Sequence, residues 1–277
     1  MASKSSVLVT GASTGIGATY ADRFARRGHD LVLVARDTAR MEDLAGRLRG
    51  EYGITVDVLP ADLTASDQVR AVETRLRDDD RIGILVNNAG ATVGGSFVEQ
   101  ATDDVERLVT LNTTSLVRLA SAVAPRFAKA GTGAIVNIGS VVGLVPEFGM
   151  TVYGATKAFV LFLSQGLSHE LSPKGVYVQA VLPAATRTEI WSRSGVDPAS
   201  LPPMMEVGDL VDAALAGFDR REPVTIPPLH DVGQWDAFQA ARQAMIPGFA
   251  QVLPAPRYAP PHEPFRSHIP RSETVVL

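Results

Sequence analysis

The chain has no cysteine among its 277 residues, which excludes disulfides, thiolate nucleophiles and cysteine-held metals. Histidine is almost as scarce. The five residues His29, His169, His230, His262 and His268 show no metal-ligand spacing, so no metal site is expected. Lysine is rarer still: Lys4, Lys129, Lys157 and Lys174 are the only ones, and the other 22 of the 26 basic residues are arginine. A net charge of −4 without a basic block argues against a nucleic-acid surface. No apolar run approaches the length of a membrane span, so none is expected. Met1 to Ser6 are polar, and the apolar run after them is too short for a signal peptide, so the expected compartment is the cytoplasm.

What is present is an ordinary share of apolar (45%) and charged (20%) residues, set out in alternation. The length suits one large domain or two small ones and allows a substantial core. Short apolar runs fall at Val7–Val9, Leu31–Ala35, Ile54–Leu59, Ile82–Val86, Ala134–Ile138 and Val176–Leu182. Between them lie helix-length segments at Ile16–Arg27, Thr38–Leu48, Ser66–Arg77, Val105–Ala130 and Val152–Leu171. The segment Val105–Ala130 reads as one long helix or two joined ones. Such strands, separated by helices, predict a doubly wound α/β fold: a parallel sheet covered on both faces, with ligands at the strands' carboxyl ends. The pattern runs on to Thr225, which predicts one domain over residues 1–250. Six prolines between Val252 and Pro270 allow neither helix nor central strand. Residues 251–277 therefore read as a tail, or as an extended arm held against another subunit.

Two stretches carry chemistry. The first strand runs into Thr10-Gly11-Ala12-Ser13-Thr14-Gly15-Ile16-Gly17. Glycines between a strand and a helix let backbone approach a pyrophosphate at the helix amino end, where free N–H groups point outward. A glycine-rich turn with no ligand is the other reading, and the flanking strand and helix disfavour it. The second stretch is Val152-Tyr153-Gly154-Ala155-Thr156-Lys157. Tyr153 and Lys157 are one helical turn apart and share a face. A phenol titrates near pH 10, and an ammonium beside it favours the phenolate and draws the pKa towards the working range. Taken alone, the pair reads better as two solvated side chains.

Tyr-x-x-x-Lys and G-x-x-x-G-x-G together make the chain resemble the short-chain dehydrogenase/reductase family over about residues 5–230. Further motifs support the resemblance. Asp62-Leu63 matches the family's adenine-contacting acidic position, and Asn87-Asn88-Ala89-Gly90 its Asn-Asn-Ala-Gly motif. Asn112 falls at its helix-bending asparagine, and Ser140 precedes Tyr153 by the family's usual thirteen residues. Pro183 to Thr188 matches the loop that holds the nicotinamide carboxamide. The resemblance implies a single-domain, Rossmann-like sheet of about seven strands. It also implies roles for the residues. Tyr153 is the general acid when a carbonyl is reduced and the general base when an alcohol is oxidised, and Lys157 lowers its pKa and holds the nicotinamide ribose. Ser140 donates to the substrate oxygen, and Asn112 holds a water linking Lys157 to solvent. Gly11, Ser13, Thr14, Gly15, Ile16, Gly17, Asp62, Leu63, Asn88, Ala89, Gly90, Pro183, Thr186 and Thr188 are the expected cofactor contacts, together with Tyr153 and Lys157.

Cofactor choice is read after the second strand, at Ala35-Arg36-Asp37. An NAD enzyme of this type places a carboxylate there for the ribose 2′-hydroxyl. Here Ala35 holds that place and Arg36 follows, a guanidinium suited to a 2′-phosphate, with the Ser13 hydroxyl as a second contact. The expectation is NADP(H) over NAD(H); the alternative is a surface arginine paired with Asp37. One departure stands out: Ala184 replaces the family's usual glycine after Pro183, which is costly if the position needs a positive φ. A lid is expected over residues 190–206, with Trp191, Leu201, Met204 and Met205 facing Val142, Leu144, Phe148 and Met150. Arg193 is the one candidate cation. This lining suits a small to medium apolar ketone or aldehyde and its secondary alcohol. On the helix from Val152, residues Ala158, Leu161, Phe162 and Gln165 carry more apolar surface than the sheet covers. By resemblance that predicts a homodimer or homotetramer. An NADP-binding sensor or scaffold without turnover is the alternative function, and its expected mark, loss of the Tyr or the Lys, is absent.

Overall fold

Runs of Val, Ile, Leu and Ala become the strands β1 (Ser6–Thr10), β2 (Leu31–Ala35), β3 (Val56–Pro60), β4 (Ile82–Asn87), β5 (Ala134–Ile138), β6 (Tyr177–Val181) and β7 (Val224–Thr225). They form one parallel sheet in the order β3-β2-β1-β4-β5-β6-β7. A computed structural model describes residues 4–193 and 203–258, which fall into two units, 1–228 and 229–277. Successive strand residues point to opposite faces, and both faces are packed. Val7, Val9 and Leu33 join Tyr20 and Phe24 of α1 (Gly15–Arg26) and Met41 of α2 (Thr38–Tyr52). Leu8, Val32 and Leu85 join Leu76 of α3 (Ser66–Asp78) on the other face. The strand order reverses between β1 and β4, so the connections leaving them part and open a crevice at their carboxyl ends.

The expected long helix over 105–130 is two: α4 (Thr102–Val109) and α5 (Ser115–Ala130), joined by one π-helical turn at Thr110–Thr114. The Thr113 and Ser115 hydroxyls bond back to the carbonyls of Val109 and Leu111 at 2.6 Å, which favours a widened turn. Next comes α6 (Thr151–Leu171), which carries the Tyr-x-x-x-Lys pair. After β6 a short helix, α7 (Ile190–Arg193), precedes the undescribed residues 194–202, and α8 (Val207–Asp219) leads to β7. In the second unit, α9 (Val232–Ala244) stacks Trp235 on Phe238 at 5.5 Å. The proline-rich stretch from 259 onward lies outside the described residues.

Among the described residues no helix is long and apolar enough to cross a membrane, and no cluster of His, Cys, Asp or Glu could hold a metal ion. The only described non-glycine residue with positive φ is Arg221, so Ala184 sits in ordinary backbone and carries no left-handed strain. On α6, Leu161 turns inward and is buried, and the exposed aromatic pair is Phe159 and Phe162.

Candidate active site

The loop from β1 into α1 is built for close approach. A Cβ on Gly17 would stand 2.3 Å from the Gly11 carbonyl oxygen, so this turn closes only around glycine. Thr14 precedes α1 in extended backbone and makes no side-chain cap, which leaves the first-turn amides of the helix turned to the crevice. The loop after β4 is tied to it from the side. Asn88 Nδ2 donates to the Thr10 carbonyl at 2.9 Å, and the Asn88 and Ala89 amides donate to Thr10 Oγ1 at 2.9 and 3.0 Å. Thr10 is therefore the hub of the crevice floor. Sequence reading passed over it because a polar residue ending a strand has no distinctive spacing.

The crevice is a cleft of about 820 Å³, towards the upper end of ordinary ligand sites. Its wall brings together Gly11, Ser13, Thr14, Gly15, Ile16, Arg36, Asp62, Leu63, Asn88, Ala89, Gly90, Ser140, Tyr153, Lys157, Pro183, Thr186 and Thr188. Gly17 and Asn112 stand behind the wall. Val142, Met150 and Trp191 face the cleft as anticipated; Leu144, Phe148, Met204 and Met205 do not line it. Leu201 and the Arg193 side chain lie outside the described residues. Sequence reading also missed Thr64, Thr92 and Val93, which sit in connections with no repeating pattern, and Asp104 and Arg107, polar residues of α4 that carry no motif.

At one end, Ser140, Tyr153 and Lys157 converge. The Ser140 hydroxyl donates to the Pro183 carbonyl and accepts from the Val142 amide, both at 3.2 Å. Lys157, only 6% exposed, donates from Nζ to the Ile138 carbonyl at 2.9 Å, and its nitrogen lies 5.6 Å from the centre of the Tyr153 ring. Burial pulls the Lys157 ammonium down to about 8. Burial also pushes the Tyr153 phenol up to about 12, against a hydrogen bond with Ser140 that pulls it down. The expected lowering of the phenol by Lys157 is not seen. The Lys157 charge is engaged with a carbonyl, and desolvation of the phenolate dominates. At neutral pH the Tyr153 phenol keeps its proton.

Asn112, in the π-turn, exchanges hydrogen bonds with the Ala91 backbone at 3.0 Å each way. It also donates to Thr156 Oγ1 at 3.1 Å, and Thr156 in turn donates to the Tyr153 carbonyl at 2.7 Å. Beneath them runs a chain that the sequence did not announce. Asn87 Nδ2 donates to Asn137 Oδ1 at 3.0 Å, and Asn137 Nδ2 donates to Ser164 Oγ at 2.9 Å, all buried.

At the other end, Arg36 holds its guanidinium 4.0 Å from Asp62, with a side chain 73% exposed. Burial raises the Asp62 carboxyl, but the Thr64 amide and hydroxyl and then the Arg36 charge outweigh it and hold the group below its usual range. The cleft thus has a proton-donating end and a cationic end, joined by a floor of backbone amides. A dinucleotide fits that donor set: amides for a pyrophosphate, a guanidinium for a further phosphate.

Comparison with known proteins agrees. The short chain dehydrogenase family profile matches residues 5–198. A short-chain dehydrogenase from Sphingobium yanoikuyae, solved in complex with NADPH, superposes with a TM-score of 0.91 at 67% identity, over 92% of this chain and 100% of that one. A bulky-bulky ketone specific alcohol dehydrogenase from Comamonas testosteroni gives 0.87 and 59%, over 93% and 100%. The very-long-chain 3-oxoacyl-CoA reductase-A of Danio rerio is 35% identical over 187 residues, which is 66% of this chain and 58% of that protein. The chain thus spans under two thirds of the length of such relatives.

Proposed function

The chain belongs to the short-chain dehydrogenase family and is an NAD(P)-dependent oxidoreductase, and from that premise we propose that it reduces apolar ketones with NADPH. The observation that carries this reading is the convergence of Ser140, Tyr153 and Lys157 at one end of a cleft whose other end presents Arg36. The bound nicotinamide supplies the hydride. Tyr153, held protonated by burial, gives its proton to the substrate oxygen as charge develops there. Ser140 turns its hydroxyl from Pro183 to donate to the same oxygen. Lys157 holds the nicotinamide ribose, and Asn112 fixes the backbone that carries Tyr153 through Thr156.

Arg36 selects the cofactor. Apart from Asp62 at 4.0 Å it faces solvent at the cleft, and Ala35 before it cannot accept from a ribose hydroxyl. Val142, Met150, Val93 and Trp191 give the substrate end an apolar wall. The similarity to an alcohol dehydrogenase specific for bulky-bulky ketones supports a ketone with sizeable groups on both sides. The test is a panel of ketones followed by loss of NADPH absorbance, repeated with NADH and with Arg36→Leu. A charge-assisted contact favours NADPH at least about tenfold, and Arg36→Leu raises its KM roughly ten- to a hundredfold while NADH is nearly unaffected. Equal use of both cofactors by the unaltered enzyme contradicts the assignment of Arg36. No turnover of any ketone contradicts the reaction.

A further inference from the structure

The segment that leaves β6 crosses the cleft and is tied down at each step. The Val141 amide donates to the Pro183 carbonyl at 2.9 Å, and Thr186 pairs with Met205 as an isolated parallel bridge. Trp191 Nε1 donates back to the Thr186 carbonyl at 2.8 Å. Thr188 lies against the glycine-rich loop: a Cβ on Gly15 would stand 3.2 Å from the Thr188 methyl. The next residue, Glu189, lines the cleft and reaches across to α2, where both its oxygens accept from Arg40 NH1 at 2.8 and 3.0 Å. Arg40 stands in the first turn of α2, just beyond Arg36 and Asp37 on the cationic rim. One ion pair therefore joins the two banks of the cleft, one residue beyond the Thr188 contact with the glycine-rich loop.

We propose that the Arg40–Glu189 pair is a clasp that holds residues 183–191 across the bound dinucleotide, and that Arg40 is a positioning residue acting through Glu189. The proposal rests on the cleft being the cofactor site. The fold supplies the rest of the strap; the ion pair adds a fastening that opens without unfolding anything, since both side chains are about half exposed (47% and 48%). Such a pair is weak and screened by salt, which suits a contact that must release the cofactor at every turnover.

The experiment follows NADPH release by stopped-flow displacement, reading the loss of bound-cofactor fluorescence at low and high salt. Arg40→Gln and Glu189→Gln each speed release about three- to fivefold at low salt, with unchanged melting temperature. The charge-swapped double variant, Arg40→Glu with Glu189→Arg, restores slow release. High salt brings the unaltered enzyme towards the single variants and leaves those variants little changed. Release as slow in both single variants as in the unaltered enzyme overturns the clasp. So does a double variant as fast as the singles, or an effect of Arg40→Gln without one of Glu189→Gln, which would mean that Arg40 meets the cofactor itself. An unaltered enzyme that binds no NADPH overturns the reading of the cleft instead.

Discussion

Lys157 shows at the scale of one residue how burial and chemistry compete. Its ammonium is taken out of water beside the Ile138 carbonyl, and burial draws it down to about 8 from an ordinary value of 10.5. Between those two values the unfolded chain holds a proton that the folded chain has let go. Lys157 therefore makes the fold more stable as pH rises through that window. Tyr153 works the other way: pushed up to about 12 from 10.0, it makes the fold less stable as pH rises beyond 10. With only four lysines in the chain, the Lys157 resonance is accessible to an NMR titration of the cofactor-free protein. The midpoint is expected near 8. A midpoint above 10 means that the side chain is solvated and that the packing around it differs from that described. A variant without the amine tests the stability claim. Denaturant unfolding of Lys157→Met should lack the gain between pH 8 and 10 that the unaltered protein shows.

Among the elements, α6 is placed by contacts that sequence periodicity does not encode. It carries Tyr153 and Lys157, and its height on the sheet is set by Ser164 meeting Asn137 of β5 at 2.9 Å, with Asn87 of β4 behind. Ser164→Ala leaves the Asn137 amide unpaired in the interior, at a cost of about 1–3 kcal/mol. Thermal unfolding should fall by about 2–4 °C for each kcal/mol lost, while Ser164→Thr, which keeps a hydroxyl, loses less. Identical melting for the alanine variant and the unaltered protein would mean that this chain of amides does not hold the helix. What the sequence revealed follows the same division. β2 and β5 begin and end where their apolar runs do, and every residue in them is buried. β3, at the sheet edge, starts two residues later than its apolar run, at Val56, because the Thr55 amide bonds to the Asp30 carboxylate. The π-turn at 110–114 was legible only as a doubt between one helix and two, since side-chain hydroxyls decide it. The Gly-rich, Asn-Asn-Ala-Gly and Tyr-x-x-x-Lys stretches were legible because backbone geometry or proton transfer permits few residue types there. Thr10, Asn137 and Thr156 were not, because each acts through partners far away in the chain.

For the whole molecule, exposed large apolar side chains lie on α6, in the second unit, and at Phe97, Val98, Val109 and Phe148 of the first. Phe159 and Phe162 are exposed on α6, as are Val232, Phe238, Ile246 and Phe249 beyond residue 228. We expect the α6 face to pair with a second copy, giving a homodimer or homotetramer. Light scattering at micromolar protein should report an oligomer that Phe162→Glu disrupts, and a monomer before mutation would rule the pairing out. The reaction itself is decided by Tyr153. Replacing it with phenylalanine keeps the ring's packing and removes the proton donor, so one comparison tests the account most directly. On a ketone that the unaltered enzyme reduces, the single-turnover rate of NADPH oxidation is measured for both proteins, with NADPH affinity titrated on the same samples. The account predicts a rate at least about 100-fold lower in Tyr153→Phe with nearly unchanged NADPH affinity. A variant that keeps most of the rate would contradict it.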